Sequence, residues 1–345
     1  MKVTERPSLK TFNTFRVDAR AGLLINIETE EDILSLPPYC PQRDLVLGEG
    51  SNTLFASDVP GSVFLNRVTG KEILGVEDKQ ALVEVGAGEN WHQLVLWSLD
   101  HNLYGLENLS LIPGSTGAAP IQNIGAYGVE LSSILESVTA WDWQRAAWVT
   151  LSQDECELGY RDSRFKSRDR DRYLITSVRL RLDQEFRPRL DYSGLQQELA
   201  MEGASRPSGR AVSDAVIRLR RTRLPDPAVT GNAGSFFKNP VVSRADGSAL
   251  QADNPEMPCW PNGDSMLKIS AAWIIEQCGL KGFRSGDAGI STQHALVLVN
   301  YGAATGVEIQ NLAEHVQSVV NAQFGIQLEP EPRIIDFSEP RSNTG

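Results

Sequence analysis

Glycine-rich loops break the apolar runs of the first 130 residues, and they restrict the possible folds more than any other feature of the chain. Gly48-Glu49-Gly50-Ser51-Asn52 follows the short apolar run Leu45–Leu47. Gly86-Ala87-Gly88 follows Leu82–Val85 and precedes a helical pattern carrying Leu94, Val95 and Leu99. A longer loop runs from Ile112-Pro113-Gly114-Ser115-Thr116-Gly117 through Ala118-Ala119-Pro120 to Gly125-Ala126-Tyr127-Gly128. Consecutive uncovered amides in such loops cradle anions and let a flat ligand lie against the main chain. Neither the first loop nor the longest one contains a lysine and no Walker motif occurs, while Thr53 stands where the dinucleotide fingerprint needs its third glycine. Two such cradles suit a pyrophosphate held by backbone amides, as in a large dinucleotide; a packed Ala/Gly turn is the plainer alternative.

With 345 residues the chain exceeds the size at which one core keeps growing, so two or three domains are expected. The net charge of −11 argues against general binding to nucleic acid or to an anionic membrane. Arginines nevertheless crowd residues 161–172 and 206–223, either as solvated surface or as a phosphate pocket. Cys40, Cys156, Cys259 and Cys278 lie far apart, with no zinc spacing or disulfide framework. No apolar run approaches the ~18 residues of a membrane helix, so a reduced, cytoplasmic setting and no membrane insertion are expected.

Thr29 with Asp32 marks a helix start closed by Pro37-Pro38, and Leu174–Leu182 alternates as a strand. Val212, Ala215, Val216 and Leu219 share one helix face, beyond which Arg218, Arg220, Arg221 and Arg223 cluster. Leu224-Pro225-Asp226-Pro227 is the clearest break and the expected boundary before a last domain. There Ala271, Ile274, Ile275 and Cys278 predict a helix stopped by Gly279, and Ala295–Val299 predicts a buried strand. Thr305 and Glu308 open a helix that ends at Gly325.

Gly231-Asn232-Ala233-Gly234-Ser235-Phe236-Phe237-Lys238-Asn239-Pro240 carries one hydroxyl, that of Ser235, between a small-residue turn and two bulky apolar side chains. It suits a buried proton donor or, more plainly, a glycine turn before a half-buried strand. Ser235-Phe236-Phe237-Lys238 and Ser163-Arg164-Phe165-Lys166 also match the Ser-x-x-Lys of serine acyl-transfer enzymes, whose Ser-Asp-Asn and Lys-Thr-Gly companions are missing.

These motifs, with Tyr160-Arg161-Asp162-Ser163-Arg164-Phe165-Lys166 and the tail Leu328-Glu329-Pro330-Glu331-Pro332-Arg333, stand in an order that resembles the UDP-N-acetylenolpyruvoylglucosamine reductases from about Asn13 to Arg333. The segment Pro255–Leu280 resembles the added substrate-covering loop of the family's longer form. The resemblance implies an α+β protein: a two-subdomain FAD-binding fold of the vanillyl-alcohol-oxidase type (1–70 and 71–225), a C-terminal α/β substrate-binding domain (226–325), and a tail (326–345) returning to the active site. It implies FAD held non-covalently by Gly48, Gly50, Ser51, Asn52, Gly114, Ser115, Gly117, Gly125, Ala126, Tyr127 and Arg220, with NADPH as hydride donor. A monomer acting on small molecules is expected. A flavin oxidase of the same fold and a non-enzymatic flavin-binding module are the other readings.

For the reaction, the resemblance implies reduction of an enol ether conjugated to a carboxylate on a UDP-sugar. Arg161 would stabilise the developing negative charge, Ser235 would protonate the carbanion, and Glu331, kept protonated by the substrate's own carboxylate, would hydrogen-bond the enolate. Tyr192, Arg223, Asn239, Trp260, Lys268 and Arg333 match substrate contacts. Arg223 stands where lysine is common and Trp260 where tyrosine is usual, the latter keeping a stacking surface without the hydroxyl. His294 lies in the same neighbourhood and reads as structural.

Overall fold

A computed structural model of the chain describes residues 1–201 and 206–338; residues 339–345 of the expected tail lie outside the described residues. The first unit contains β1 (Lys2–Glu5), β2 (Ala21–Ile27), helix α1 (Glu30–Leu34), β3 (Leu45–Leu47), β4 (Thr53–Phe55) and β5 (Val59–Asn66). Its sheet has the order β1-β2-β5-β3, with β2 and β3 parallel to β5. Thr29 and Asp32 cap α1 reciprocally.

The second unit is built on a five-stranded antiparallel sheet. In chain order it has β6 (Lys71–Glu77), β7 (Gln80–Gly86), α2 (Trp91–Asp100), the short strands β8 (Gly125–Ala126) and β9 (Val129–Glu130), then β10 (Leu135–Asp142), β11 (Ala147–Ser152) and β12 (Tyr173–Asp183). The sheet order is β11-β10-β12-β7-β6. Val83 and Val85 of β7 bury against Trp91, Leu94 and Val95 of α2 and against Val178 and Leu180 of β12, which fixes where the loop Gly86–Gly88 emerges. Helices α3 (Ser193–Met201) and α4 (Gly209–Arg223) pack together through Leu195, Leu199, Val212 and Val216.

The third unit contains β13 (Gly231–Asn232), β14 (Val241–Ser243), α5 (Arg244–Asp253), β15 (Cys259–Asn262), β16 (Met266–Ile269), α6 (Ala271–Gln277), β17 (Arg284–Ser285), β18 (Ala288–Ile290), β19 (Leu298–Asn300) and α7 (Gly306–Phe324). The segment 255–280 is thus ordered structure, a hairpin of β15 on β16 followed by α6. The predicted strand at 295–299 begins only at Leu298. A turn closed by Val297 N–H on His294 O (3.0 Å) and by Leu296 N–H on His294 Nδ1 (3.2 Å) occupies its first half. His294 is therefore a turn former. The chain then crosses back to the first unit, where β20 (Arg333–Ile335) pairs in parallel with β4.

First and third units share one core: Phe15, Leu54 and Phe55 bury with Phe236, Phe237, Ile274, Ile309 and Val316. Backbones meet closely at that seam. A Cβ on Gly306, the first residue of α7, would fall 1.7 Å from the carbonyl oxygen of Phe55, and no flexible side chain stands there to give way. Gly306→Ala is accordingly expected to cost about 3 kcal/mol, the upper end of overpacking penalties, read as a lowered urea midpoint with unchanged activity per folded molecule.

Candidate active site

The two glycine loops interlock. A Cβ on Gly48 would lie 2.3 Å from Ser115 Oγ, and one on Gly114, whose φ is +121°, would lie 2.6 Å from Ser51 Oγ. Each loop's glycine makes room for the other loop's serine, and Ser51 Oγ donates to the Pro113 carbonyl at 3.0 Å. Gly117 is set against Ala87, where a Cβ would meet another at 2.4 Å. Between the loops opens a cleft of about 810 Å³ whose walls include Gly48, Gly50, Ser51, Asn52, Gly114, Ser115, Gly117 and Gly125. Of the remaining expected flavin contacts, Arg220 reaches the wall from α4, whereas Ala126 and Tyr127 lie just outside it.

Arg220 is the electrostatic clue to what this cleft holds. Its Nε donates to the Leu111 carbonyl at 3.2 Å, and no carboxylate among the described residues pairs with it. Burial pushes its guanidinium down from the usual arginine value. A largely desolvated, unpaired cation, though its residue keeps some exposure, is costly until an anion arrives. An interlocked glycine cradle, a cleft of mixed polar and apolar lining and this cation fit the pyrophosphate and flat ring of a dinucleotide such as FAD.

The same loop is held from its other side by His92, whose Nδ1 accepts the Leu111 N–H at 3.1 Å. Burial first, then the charges of Arg221 and Arg220, push the imidazole below its ordinary value. The folded state therefore prefers neutral His92, and this contribution is complete above the unfolded imidazole value of about 6.5 and is lost as pH falls below it. His294, lowered chiefly by burial, acts with the same sign. Stability is expected to fall between pH 7.5 and 5.5, by at most ~1.4 kcal/mol per pH unit for each histidine, read as a falling melting temperature, and His92→Gln is expected to flatten that slope.

Arg161, Ser235 and Glu331, separated widely in sequence, all line this cleft. Arg161 Nε lies 3.1 Å from Glu331 Oε1, with side-chain exposures of 20% and 14%, so the pair is partly shielded from water. Arg161 has a positive φ of 53° and its Nη2 also donates to the Gly125 carbonyl at 2.7 Å. Within the protein, the partner of Glu331 is therefore a cation. No hydrogen bond is made by the Ser235 hydroxyl among the described residues.

The tail reaches this place because all three units grip it. Glu331 N–H donates to Phe236 O at 2.8 Å and Lys238 N–H to Glu329 O at 3.0 Å. The Glu331 carbonyl accepts from Lys166 Nζ at 3.2 Å and from Asn52 Nδ2 at 3.3 Å. Arg333 is anchored to Asp171 through two bonds, Nη1–Oδ1 at 2.7 Å and Nη2–Oδ2 at 2.8 Å. Its guanidinium, expected on substrate, thus ties the tail to the 160–172 loop. The lysines of both Ser-x-x-Lys matches are engaged as well, Lys238 with Glu329 at 3.0 Å and Lys166 as above, and Ser163 Oγ donates to Ile121 O. Neither serine has a lysine free to serve it as base.

Further out, Arg223 Nη1 donates to the Tyr192 hydroxyl at 2.5 Å, and Tyr192 packs edge-on against Tyr127. Asn239 Oδ1 accepts the Ala271 N–H, securing the start of α6. Trp260, 45% exposed, stands opposite Lys268 across the β15–β16 pair. These four expected substrate contacts and Lys268 lie outside the cleft wall proper, on its approach. Sequence reasoning gave no role to Lys166, Asp171 or Tyr160; the first and last sat inside a quoted motif, but Asp171 carried no signal.

A two-subdomain flavin-binding fold with a third unit closing over the cleft is the class these features define. Residues 21–152 match the FAD binding domain family, and residues 226–335 match the family described as UDP-N-acetylenolpyruvoylglucosamine reductase, C-terminal domain. A UDP-N-acetylenolpyruvoylglucosamine reductase of Xanthomonas axonopodis pv. citri is 48% identical, the match covering 97% of this chain and 96% of that one. One from Pseudomonas aeruginosa is 46% identical, covering 97% and 99%. The crystal structure of a Thermus caldophilus UDP-N-acetylenolpyruvylglucosamine reductase superposes with a TM-score of 0.67 at 28% identity, covering 97% of this chain and all of that one. The chain belongs to the UDP-N-acetylenolpyruvoylglucosamine reductase family.

Proposed function

We propose that this protein reduces the enolpyruvyl group of UDP-N-acetylglucosamine enolpyruvate to the lactyl ether of UDP-N-acetylmuramate, a step of peptidoglycan precursor synthesis. Bound FAD supplies the hydride, taken from NADPH, and Gly48, Ser51, Asn52, Gly114, Ser115, Gly117, Gly125 and Arg220 hold that cofactor. Addition of hydride to the terminal carbon leaves negative charge on the neighbouring carbon and the carboxylate. Arg161 stabilises that charge with a guanidinium already aimed by Gly125, so little reorganisation is needed at the moment of reaction. Glu331 orients the guanidinium through its ion pair. Ser235 Oγ gives its proton to the carbanion, and the buried rings of Phe236 and Phe237 keep competing water from its loop.

The observation that carries this reading is the meeting of the Arg161–Glu331 pair and an uncommitted serine hydroxyl in the wall of one interlocked glycine cleft. On the approach, Tyr192, Arg223, Asn239, Trp260 and Lys268 bind the UDP-sugar. The working division of labour is 1–70 and 71–225 for the cofactor, with Tyr192 and Arg223 of the latter reaching the sugar nucleotide, 226–325 for the sugar nucleotide and 326–345 as the returning tail. The protein acts as a cytoplasmic monomer; among the described residues no helix is long and apolar enough to cross a membrane.

The test is the visible spectrum of the purified protein under anaerobic conditions. NADPH bleaches the flavin band, and the enolpyruvyl UDP-sugar restores it within the turnover time. Restoration by oxygen alone, with no response to the sugar nucleotide, overturns the reading in favour of an oxidase.

A further inference from the structure

Tyr160 sits at the tip of a tight turn closed on both sides, by Gly159 N–H on Asp162 O at 3.0 Å and Asp162 N–H on Gly159 O at 3.3 Å. The positive φ of Arg161 turns that side chain back, so that its Cζ lies 5.6 Å from the centroid of the Tyr160 ring. Lys268, which β16 delivers from the third unit, brings its Nζ to 4.7 Å from the same centroid. The Tyr160 hydroxyl lies against the backbone and side chain of Asn239. One ring thus touches three residues expected at the site, two of which lie outside the cleft wall.

Lys268 makes the arrangement informative. It is half-buried, and its ammonium forms no hydrogen bond or close ion pair among the described residues. Glu130, the nearest opposing charge to act on it, is itself bonded to Asn123 at 2.9 Å. Burial and the like charge of Arg161 both push the ammonium below its usual value. A ring face is the one attractive partner that fixes such a cation while leaving all three of its N–H donors for a ligand. A carboxylate in its place would neutralise the charge that a phosphate or carboxylate ligand needs.

We propose that Tyr160 is a positioning residue that holds Lys268 and Arg161, two cations from different units, over its ring so that both meet anionic groups of one sugar nucleotide. It joins the third unit to the 159–162 turn at the mouth of the cleft, and it acts through those cations and not on the reacting atoms. The inference rests on the sugar-nucleotide reading given above.

The experiment measures binding of the enolpyruvyl UDP-sugar to oxidised holoenzyme without NADPH, by calorimetry. If wild-type enzyme does not bind the sugar nucleotide, the functional reading itself fails; the variants test only the role of Tyr160. Tyr160→Phe is expected to bind within about threefold of wild type and Tyr160→Leu about tenfold more weakly. Lys268→Met is expected to weaken binding similarly, and adding Tyr160→Leu to it to cost no more than about twofold further. A series from phenylalanine to trifluorophenylalanine at position 160 keeps the shape but drains the ring face, and Kd should rise with each fluorine. A flat series, or losses that simply multiply in the double variant, overturns the proposal. Flavin content and melting temperature establish that each variant is folded.

Discussion

Ser235→Ala leaves reduction of the bound flavin by NADPH within a fewfold of wild type and slows its reoxidation by the enolpyruvyl substrate about a thousandfold, within the range of general acid catalysis. The asymmetry follows from where the serine sits. Its loop is fixed by Gly234 N–H on Asn232 Oδ1 at 2.9 Å and Phe236 N–H on Leu296 O at 2.7 Å, with Gly234 at a φ of +71°. None of these bonds uses the hydroxyl, so alanine removes the proton and little else. The Phe236 and Phe237 rings remain packed at 5.1 Å and 68°, and the cofactor walls are untouched. Stopped-flow measurement of the two half-reactions separates the outcomes. Equal losses in both would mean that the hydroxyl serves cofactor geometry and is no proton donor.

Local order was largely readable from the chain. Thr305, Glu308 and Gly325 act within α7, where the capping box forms and Gly325 adopts a φ of +67°. The alternation at 174–182 holds for Val178, Leu180 and Leu182, which enter one core; a register shift beside Ser177 then puts Ile175 in that core and Leu174 in a second one. What could not be read were reasons that lie far away in sequence. Gly48 is glycine because Ser115 stands over it, and Gly306 because Phe55 does. The prolines around Glu331 announce an extended tail but not its grip by Asn52, Lys166 and Phe236. Local sequence makes Glu331 a surface carboxylate, and only the family resemblance directed attention to it. The strand expected from Ala295 was shortened because His294, through its ring nitrogen and carbonyl, closes a turn that apolar character alone does not reveal.

Arg161→Met and Glu331→Gln are each expected to slow reoxidation by about a hundredfold or more, comparable to losing a preorganised donor to a developing oxyanion. The two do not act independently. Arg161 keeps its bond to the Gly125 carbonyl when Glu331 is changed, so the guanidinium stays near its place but loses the partner that sets its rotation. Removing Arg161 instead leaves the Glu331 carboxylate half-buried, unpaired and repelling the substrate's own carboxylate, which makes it the more damaging of the two changes. The tail itself should hold in both variants. Its backbone bonds to Phe236 and Asn52, and the Arg333–Asp171 pair, involve neither side chain. Because Glu331→Gln also removes that repulsion, the double variant is expected to be no slower than Arg161→Met alone. Multiplying losses would instead assign them separate steps, and single losses under threefold would remove both from the chemistry.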